Sequence, residues 1–317
     1  MNRSELVRAL QKARAEHCLL ATAVGGWALM VPRLGARILG AGTDERNAFW
    51  VSPVLERCLA GQDWNAGGQR TWVAPELGPS GFFGAGEQGW TVPPQLDPGA
   101  YRLLEADGRT ACCRTACRLR SHDGVEYRLE IERRVEIRDL PEFQPTPGAV
   151  QLRLRHSLRN AGDRLIPARV GLWGIIQIPS LPEGSLLLPG LPYRVYFGEL
   201  PADWVRRETG RLRLQTAPGQ LYKIGQRPEQ PEAVIAHVRP DAGGAIQVAL
   251  RFPVTPAGPY LDRPLAEPDG AGDALQAYNS PLAGDAAFCE LECHAPAPHL
   301  QPGAESSGEL EIEIRNA

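Results

Sequence analysis

Three side chains with proton chemistry stand at alternate positions near the end of the chain, in Phe288-Cys289-Glu290-Leu291-Glu292-Cys293-His294. On an extended backbone Glu290, Glu292 and His294 project to one side and the two cysteines to the other. The Cys/Leu side is suited to burial, so the Glu/Glu/His side meets solvent or a cleft. In a cleft, a carboxylate beside a like charge has a raised pKa and can serve as a general base or acid. His294 could be its partner; next to Pro296 it could equally mark the end of the strand. A wet outer face with no chemistry fits the same spacing.

Two further groups suit a polar ring-shaped ligand. Gly67-Gly68-Gln69-Arg70-Thr71-Trp72-Val73-Ala74-Pro75-Glu76 and Gly89-Trp90-Thr91-Val92-Pro93-Pro94-Gln95 place Arg70, Trp72, Glu76 and Trp90 close together in sequence. Flat indole faces stack on the C–H faces of sugars while Arg, Glu and Gln bond the hydroxyls. The alternative is a rigid loop with Trp72 in the core and Arg70 paired to Glu76. Further on, Arg169, Trp173 and Gln177 share one face of a strand that is apolar on both sides and therefore central in its sheet. Trp173 is there either a sugar platform or core. His156 lies on an apolar strand face, as a core histidine or a catalytic acid. Lys223 is one of two lysines against 32 arginines, which fits either an ordinary cation or a site that needs a compact ammonium.

The elements that must carry these residues are strands. Val125, Tyr127, Leu129 and Ile131 alternate with charged residues, as do Val150, Leu152 and Leu154, then Leu310, Ile312 and Ile314; Ile246 to Phe252 repeats the period. Such alternation marks strands with one buried face. Asp107-Gly108 and Asp123-Gly124 predict hairpins on either side of a strand over 109–121, and Asp241-Ala242-Gly243-Gly244 joins two more. The odd positions from Val125 to Ile137 are apolar except Arg133, and Arg133-Arg134 predicts a bulge that turns Arg133 outward. Only the first residues have a helical period, with Leu6, Leu10 and Ala13 behind an Asn2/Glu5 capping box. The expectation is a helix within 1–16 followed by a single all-β domain over 17–317, a large antiparallel sandwich. The Pro/Gly-rich stretches 73–99 and 253–273 are expected to be surface loops of the kind that carry binding residues.

Composition narrows the function classes. Of 317 residues 43% are hydrophobic, and 34 basic against 37 acidic residues leave a net charge of −3. No basic stripe suits nucleic acid, and no apolar run approaches the roughly 20 residues of a membrane span. Met1 to Glu16 carries charge throughout and has no apolar signal core, so a cytoplasmic protein is expected. Seven cysteines, an odd number, do not suit a disulfide scaffold. The pairs Cys113/Cys117 and Cys289/Cys293 have a C-x-x-x-C spacing. Four apart on a strand they lie roughly 13 Å apart, too far for one zinc ion at about 2.3 Å from each. Phosphate-loop, dinucleotide and nucleophile-elbow motifs are missing, and no metal or cofactor is expected.

The motifs in order are G-G-x-R-x-W-x-A-P-E at 67–76, W-x-V-P-P at 90–94, L-W-x-I-x-Q-x-P at 172–179, Y-K-I-G at 222–225, Y-N-S-P at 278–281, and E-L-E-x-x-x-P at 290–296 with a Pro-Gly before the last strand. This order, over residues 20 to 315, resembles the galactose mutarotase-like (aldose 1-epimerase) superfamily, above all its bacterial members of unassigned function. The resemblance implies a β-supersandwich and a small carbohydrate ligand. It implies Glu292 as the base that takes the proton of the anomeric hydroxyl, with Glu290 in reserve. It implies sugar binding by Arg70, and by Asn279 of the Y-N-S-P motif. The family's acid histidine follows a Gly-Leu pair; here Gly171-Leu172 is followed by Trp173. The early His-Gly-Gly motif also has no counterpart. His156 or Lys223 is then the candidate donor in an enzyme. The alternative is a carbohydrate-binding or sensing protein that has lost the acid.

Overall fold

The computed structural model describes residues 1–86, 89–140, 149–241 and 244–316. Two antiparallel sheets face each other across a shared apolar core. Among the described residues nine strands form the first sheet, in the order Cys18–Ala21, Gly26–Val31, Arg37–Thr43, Gln69–Ala74, Gly171–Pro179, Phe288–His294, Leu275–Asn279, Tyr222–Gln226 and Arg194–Gly198. Ten form the second, whose long strands Thr110–Arg120, Glu126–Arg138, Val150–Asn160, Gly244–Pro253 and Glu305–Asn316 are the ones with the cleanest period of two.

That period decides which way each sheet faces. In Glu126–Arg138 the odd residues are buried and their neighbours half-buried or exposed, so burial of the apolar set fixes the register. The exposed sides of these strands carry ion pairs such as Arg114–Glu132 at 2.6 Å and Arg153–Glu309 at 3.1 Å. Pairs this exposed add little stability. Gly108 and Gly124 take φ of 84° and 86° at the tips of the Asp-Gly hairpins, a conformation that favours glycine. Of the third turn, Asp241 pairs with Gly244; residues 242–243 lie outside the described residues.

Arg133 corrects the sequence reading. It pairs with Cys113 on one side and His156 on the other in unbroken register, so no bulge turns it outward. It is fully buried. Gly35 and Ala36 adopt positive φ of 80° and 49° just before the Arg37–Thr43 strand, and their carbonyls point into the core. The Arg133 guanidinium donates to both, at 3.0 and 2.6 Å, and to the Gln69 side chain. Burial holds this guanidinium below its ordinary pKa, at about 10. An inward arginine here satisfies backbone carbonyls that would otherwise be orphaned.

The N-terminal helix spans Arg3–Lys12, inside the expected bounds, with both capping-box bonds made between Asn2 and Glu5. Leu6 and Leu10 bury against Trp27, Leu29 and Leu39 on the far side of the first sheet's edge strands. A second helix, Leu55–Leu59, is too short to show a period in sequence.

Two loops cross the outer face of the first sheet. The 73–99 stretch includes the small hairpin Gly84–Gly86 with Gly89–Thr91, and the 253–273 stretch contributes Asp262. Gly67 and Gly68 lie at φ +92° and +72°, where an added Cβ would stand 2.3 Å from the Trp50 carbonyl oxygen and 2.2 Å from that of Ile38. They let the Gln69–Ala74 strand enter the middle of the sheet with Arg70 facing outward.

Arg133→Ala is expected to destabilise the protein by about 3 kcal/mol, because it leaves several buried acceptors without partners. Arg133→Met, which keeps most of the volume, is expected to cost less. Urea denaturation of the two variants checks the order.

Candidate functional site

Three neighbouring strands build the floor. Gly171–Pro179 lies between Gln69–Ala74 and Phe288–His294, and its register sets Trp173 between Trp72 and His294, and Ile175 between Arg70 and Glu292. Gln177 is opposite Glu290. The next strand places Gln276 beside Glu292 and Tyr278 beside Glu290, and Lys223 on the strand after that pairs with Tyr278. Strand parity thus puts residues from five strands on one face, opposite the face that packs into the sandwich.

The floor is a chain of buried charges. Arg70 Nη2 donates to Glu290 Oε1 at 2.8 Å, and Gln177 Nε2 donates to the same oxygen at 2.9 Å. The Trp173 indole N–H donates to Glu292 Oε2 at 2.8 Å. Lys223 Nζ lies 3.2 Å from that oxygen and 3.3 Å from Glu76 Oε2, and 4.7 Å from the centre of the Trp173 ring. Glu76 in turn accepts the indole N–H of Trp90 at 2.9 Å. Arg70 rests 4.1 Å above the Trp72 ring, whose N–H reaches Asp97, itself paired to Arg37 at 2.7 Å.

These pairings set the proton affinities. Burial pushes the Glu292 carboxyl up; Lys223 pulls it down, Glu290 and Glu76 push it further, and the net is a raised pKa. Burial opposes the charged form of Lys223, but Glu292 and Glu76 outweigh it and hold the ammonium above the ordinary lysine range. Asp262 is pushed up to about 7 by burial and by Glu76, against Lys223 and Arg263. Burial and Lys223 hold His294 well below the ordinary histidine value, as a neutral ring. A buried carboxylate of raised basicity is suited to proton abstraction near neutral pH.

Several buried atoms of this floor have no protein partner: Glu292 Oε1, Gln177 Oε1, Arg70 Nε and Nη1, Asp262 Oδ2 and both ring nitrogens of His294. Buried polar groups are usually satisfied, so these atoms leave hydrogen-bonding capacity that the protein itself does not use. Beside them opens a cleft of about 410 Å³ lined by Glu76, Arg169, Tyr196, Phe197, Asp262 and Arg263, within the size range of small-molecule sites.

Of the residues named from sequence, Arg70, Trp72, Glu76, Trp90, Trp173, Gln177, Lys223, Glu290 and Glu292 come together here. Arg70 pairs with Glu290 rather than Glu76, and Glu76 serves Lys223 and Trp90 instead. Trp72 and Trp173 are each 2% exposed and Trp90 is 42% exposed, so Trp90 is the indole open to stacking. Arg169 reaches the cleft from its rim and bonds the Ala297 carbonyl at 3.0 Å. Two residues lie elsewhere. His156 sits between the sheets, hydrogen-bonded to Thr71; Thr71 has the opposite parity to Arg70, so His156 is behind the floor. Asn279 pairs with Cys289 on the inner face, where its amide bonds Ser180 and the carbonyls of Ala217 and Gln220. It ties loops together, and its neighbour Tyr278 is the one facing Glu290.

Sequence reasoning did not single out Asp262, Tyr196, Gln276 or Tyr278. Asp262 sits in an aperiodic loop, and nothing local ties it to Glu76, whose N–H it accepts at 2.8 Å from 186 residues away. All seven cysteines are buried free thiols. Among the described residues, no group of three or more His, Cys, Asp or Glu is placed to hold a metal ion, and no helix is long and apolar enough to cross a membrane.

A model of a family of unknown function, DUF6786, matches residues 7–310. The chain belongs to that family. No curated protein matches it. Among solved structures it is similar to a galactose mutarotase-like protein from Lactobacillus casei, at 12% identity and TM-score 0.57, covering 95% of this chain and 100% of that one. It is similar to a galactose mutarotase related enzyme from Lactobacillus acidophilus, at 11% identity and TM-score 0.57, covering 95% and 98%. It is also similar to the GalM/aldose epimerase homologue from C. elegans, at 12% identity and TM-score 0.54, covering 96% and 99%. The DUF6786 chain therefore has the galactose mutarotase-like fold, the antiparallel β-sandwich expected from its strands.

The raised pKa of Asp262 has a consequence for stability. A carboxyl whose folded pKa lies above its unfolded value binds more protons in the native state, so its contribution is full at low pH and is lost as pH rises toward about 7. Asp262→Asn is expected to flatten the decline of stability between about pH 4 and 7, by at most about 1.4 kcal/mol per pH unit. Urea unfolding across that range measures the slope.

Proposed function

We propose that this protein binds a small carbohydrate on the outer face of its first sheet and acts at the anomeric carbon, with Glu292 as the base. One observation carries the reading: the buried, raised-pKa Glu292 carboxylate keeps Oε1 free of protein partners while Trp173 and Lys223 hold Oε2. A hydroxyl proton presented to Oε1 meets a fixed acceptor. The O1–H electron pair then forms the C1=O1 bond, the C1–O5 pair moves to the ring oxygen, and O5 takes a proton. Closure on the other face of C1 gives the second anomer. Arg70 and Gln177 position hydroxyls through their free Nε, Nη1 and Oε1 atoms, and exposed Trp90 offers a stacking face. The similarity in fold to galactose mutarotase-like proteins supports this reading.

A second reading, binding or sensing without turnover, is favoured by Trp173. An indole cannot give up a proton as a histidine does, and this one is committed to Glu292.

Anomer-exchange NMR on neutral aldoses, uronic acids and sugar phosphates separates the two. The expected result is accelerated exchange for at least one sugar, lowered by about 10²–10⁴-fold in Glu292→Gln with the fold unchanged. Saturable line broadening without exchange, weakened by Arg70→Ala, would establish the second reading instead.

A further inference from the structure

The ring oxygen needs a proton donor, and neither His156 nor Lys223 serves. His156 is behind the sheet. Lys223, held charged between two carboxylates, binds its proton too tightly to release it. The Trp173 indole N–H is not acidic and is committed to Glu292.

The neighbouring strand supplies an imidazole at the same level. His294 is the cross-strand partner of Trp173, and the two rings stack with centroids 5.3 Å apart at 17°. Its Nδ1 lies 3.7 Å from Asp262 Oδ2. Neither atom has another partner, and both residues are buried. Asp262 is held on three sides. Its Oδ1 accepts the Glu76 N–H at 2.8 Å, its own carbonyl accepts the Tyr196 hydroxyl at 2.8 Å, and His294 stands beyond Oδ2. Its side chain lines the 410 Å³ cleft. A separation of 3.7 Å is longer than a hydrogen bond, as is common for catalytic groups before a ligand draws them together.

We propose that Asp262 and His294 form the proton-donating pair of this site, in place of the histidine that Trp173 displaces. Asp262 is the donor and His294 the positioning residue that fixes the reactive oxygen. This rests on the reading of Glu292 as the base. In the forward step the Asp262 O–H proton passes to O5 as the C1–O5 bond breaks, and the carboxylate left behind takes it back when the ring recloses. The groups facing Asp262 decide whether it holds that proton. Burial and Glu76 favour the protonated acid, while Lys223 and Arg263 oppose it; His294 is neutral and adds no charge. Arg169 and Tyr196 complete the cleft wall.

Exchange rates from pH 5 to 9 test the pair, using the sugar on which the wild-type chain is most active. The wild type should show a bell, rising as Glu292 ionises and falling as Asp262 does. Asp262→Asn keeps the Oδ1 acceptor for the Glu76 N–H; it should lose about 10²–10³-fold in rate together with the falling limb. His294→Gln should lose less and move that limb, an effect that a purely structural role would not produce. If Asp262→Asn melts well below the wild type, the limb shift in His294→Gln carries the test. Wild-type rates and pH profile in both variants would overturn the pair and leave the Glu292 reading standing. A wild-type chain inert on every sugar of the panel would overturn both.

Discussion

A single buried ammonium ties the site together. Lys223 bridges Glu292 of the floor and Glu76 of the crossing loop, and lies over the Trp173 ring. Without it, burial would place two carboxylates next to each other with no counter-charge, at a cost of several kcal/mol. With it, the Glu292 carboxylate has a counter-charge, and the loop that carries Glu76 is anchored over the sheet. Trp90 follows, because its indole bonds the other Glu76 oxygen. Loop position, the proton affinity of Glu292 and the placement of Trp90 thus depend on one group. An arginine would not replace it readily. Its planar fork is larger and prefers bidentate partners, whereas a compact ammonium fits between two separate oxygens and an aromatic face.

The sandwich beneath supplies rigidity for this arrangement. Central strands buried on both faces cannot shift register without exchanging apolar and polar sides. The inner face of Phe288–His294 is Cys289, Leu291 and Cys293 in the core, so its outer face must be Glu290, Glu292 and His294. Core packing therefore positions the carboxylates, and the Arg37–Asp97 pair beneath Trp72 braces the neighbouring strand.

Much of this was legible in the sequence because it is local. Period two exposed the strands, Asp-Gly the hairpins, and alternation in 288–294 the paired carboxylates on one face. The rarity of lysine singled out Lys223. What escaped is non-local. The Arg133-Arg134 pair predicts a bulge and an outward Arg133, whereas the side chain points inward to acceptors, the carbonyls of Gly35 and Ala36, that come from a turn nearly a hundred residues away. Asn279 and Tyr278 are adjacent, and only pairing with Phe288–His294 shows which of them faces the site. The apolar face of its strand already suits His156 to the core; only its partner Thr71, 85 residues away, is non-local. Asp262 belongs to a loop without a period, so its approach to Glu76 and His294 had no sequence signal.

The scarcity of lysine also gives the molecule a built-in chemical reporter. Lys12 has 78% of its side chain exposed, and Lys223 has 4%. In this fold an acylating reagent meets Lys12, while the second lysine is shielded and paired with two carboxylates. Labelling of Lys223 therefore requires the groups packed around it, Glu76, Glu292, Trp173 and Tyr196, to part. The rate of that one modification, read by mass spectrometry, counts openings of the site without any knowledge of its ligand.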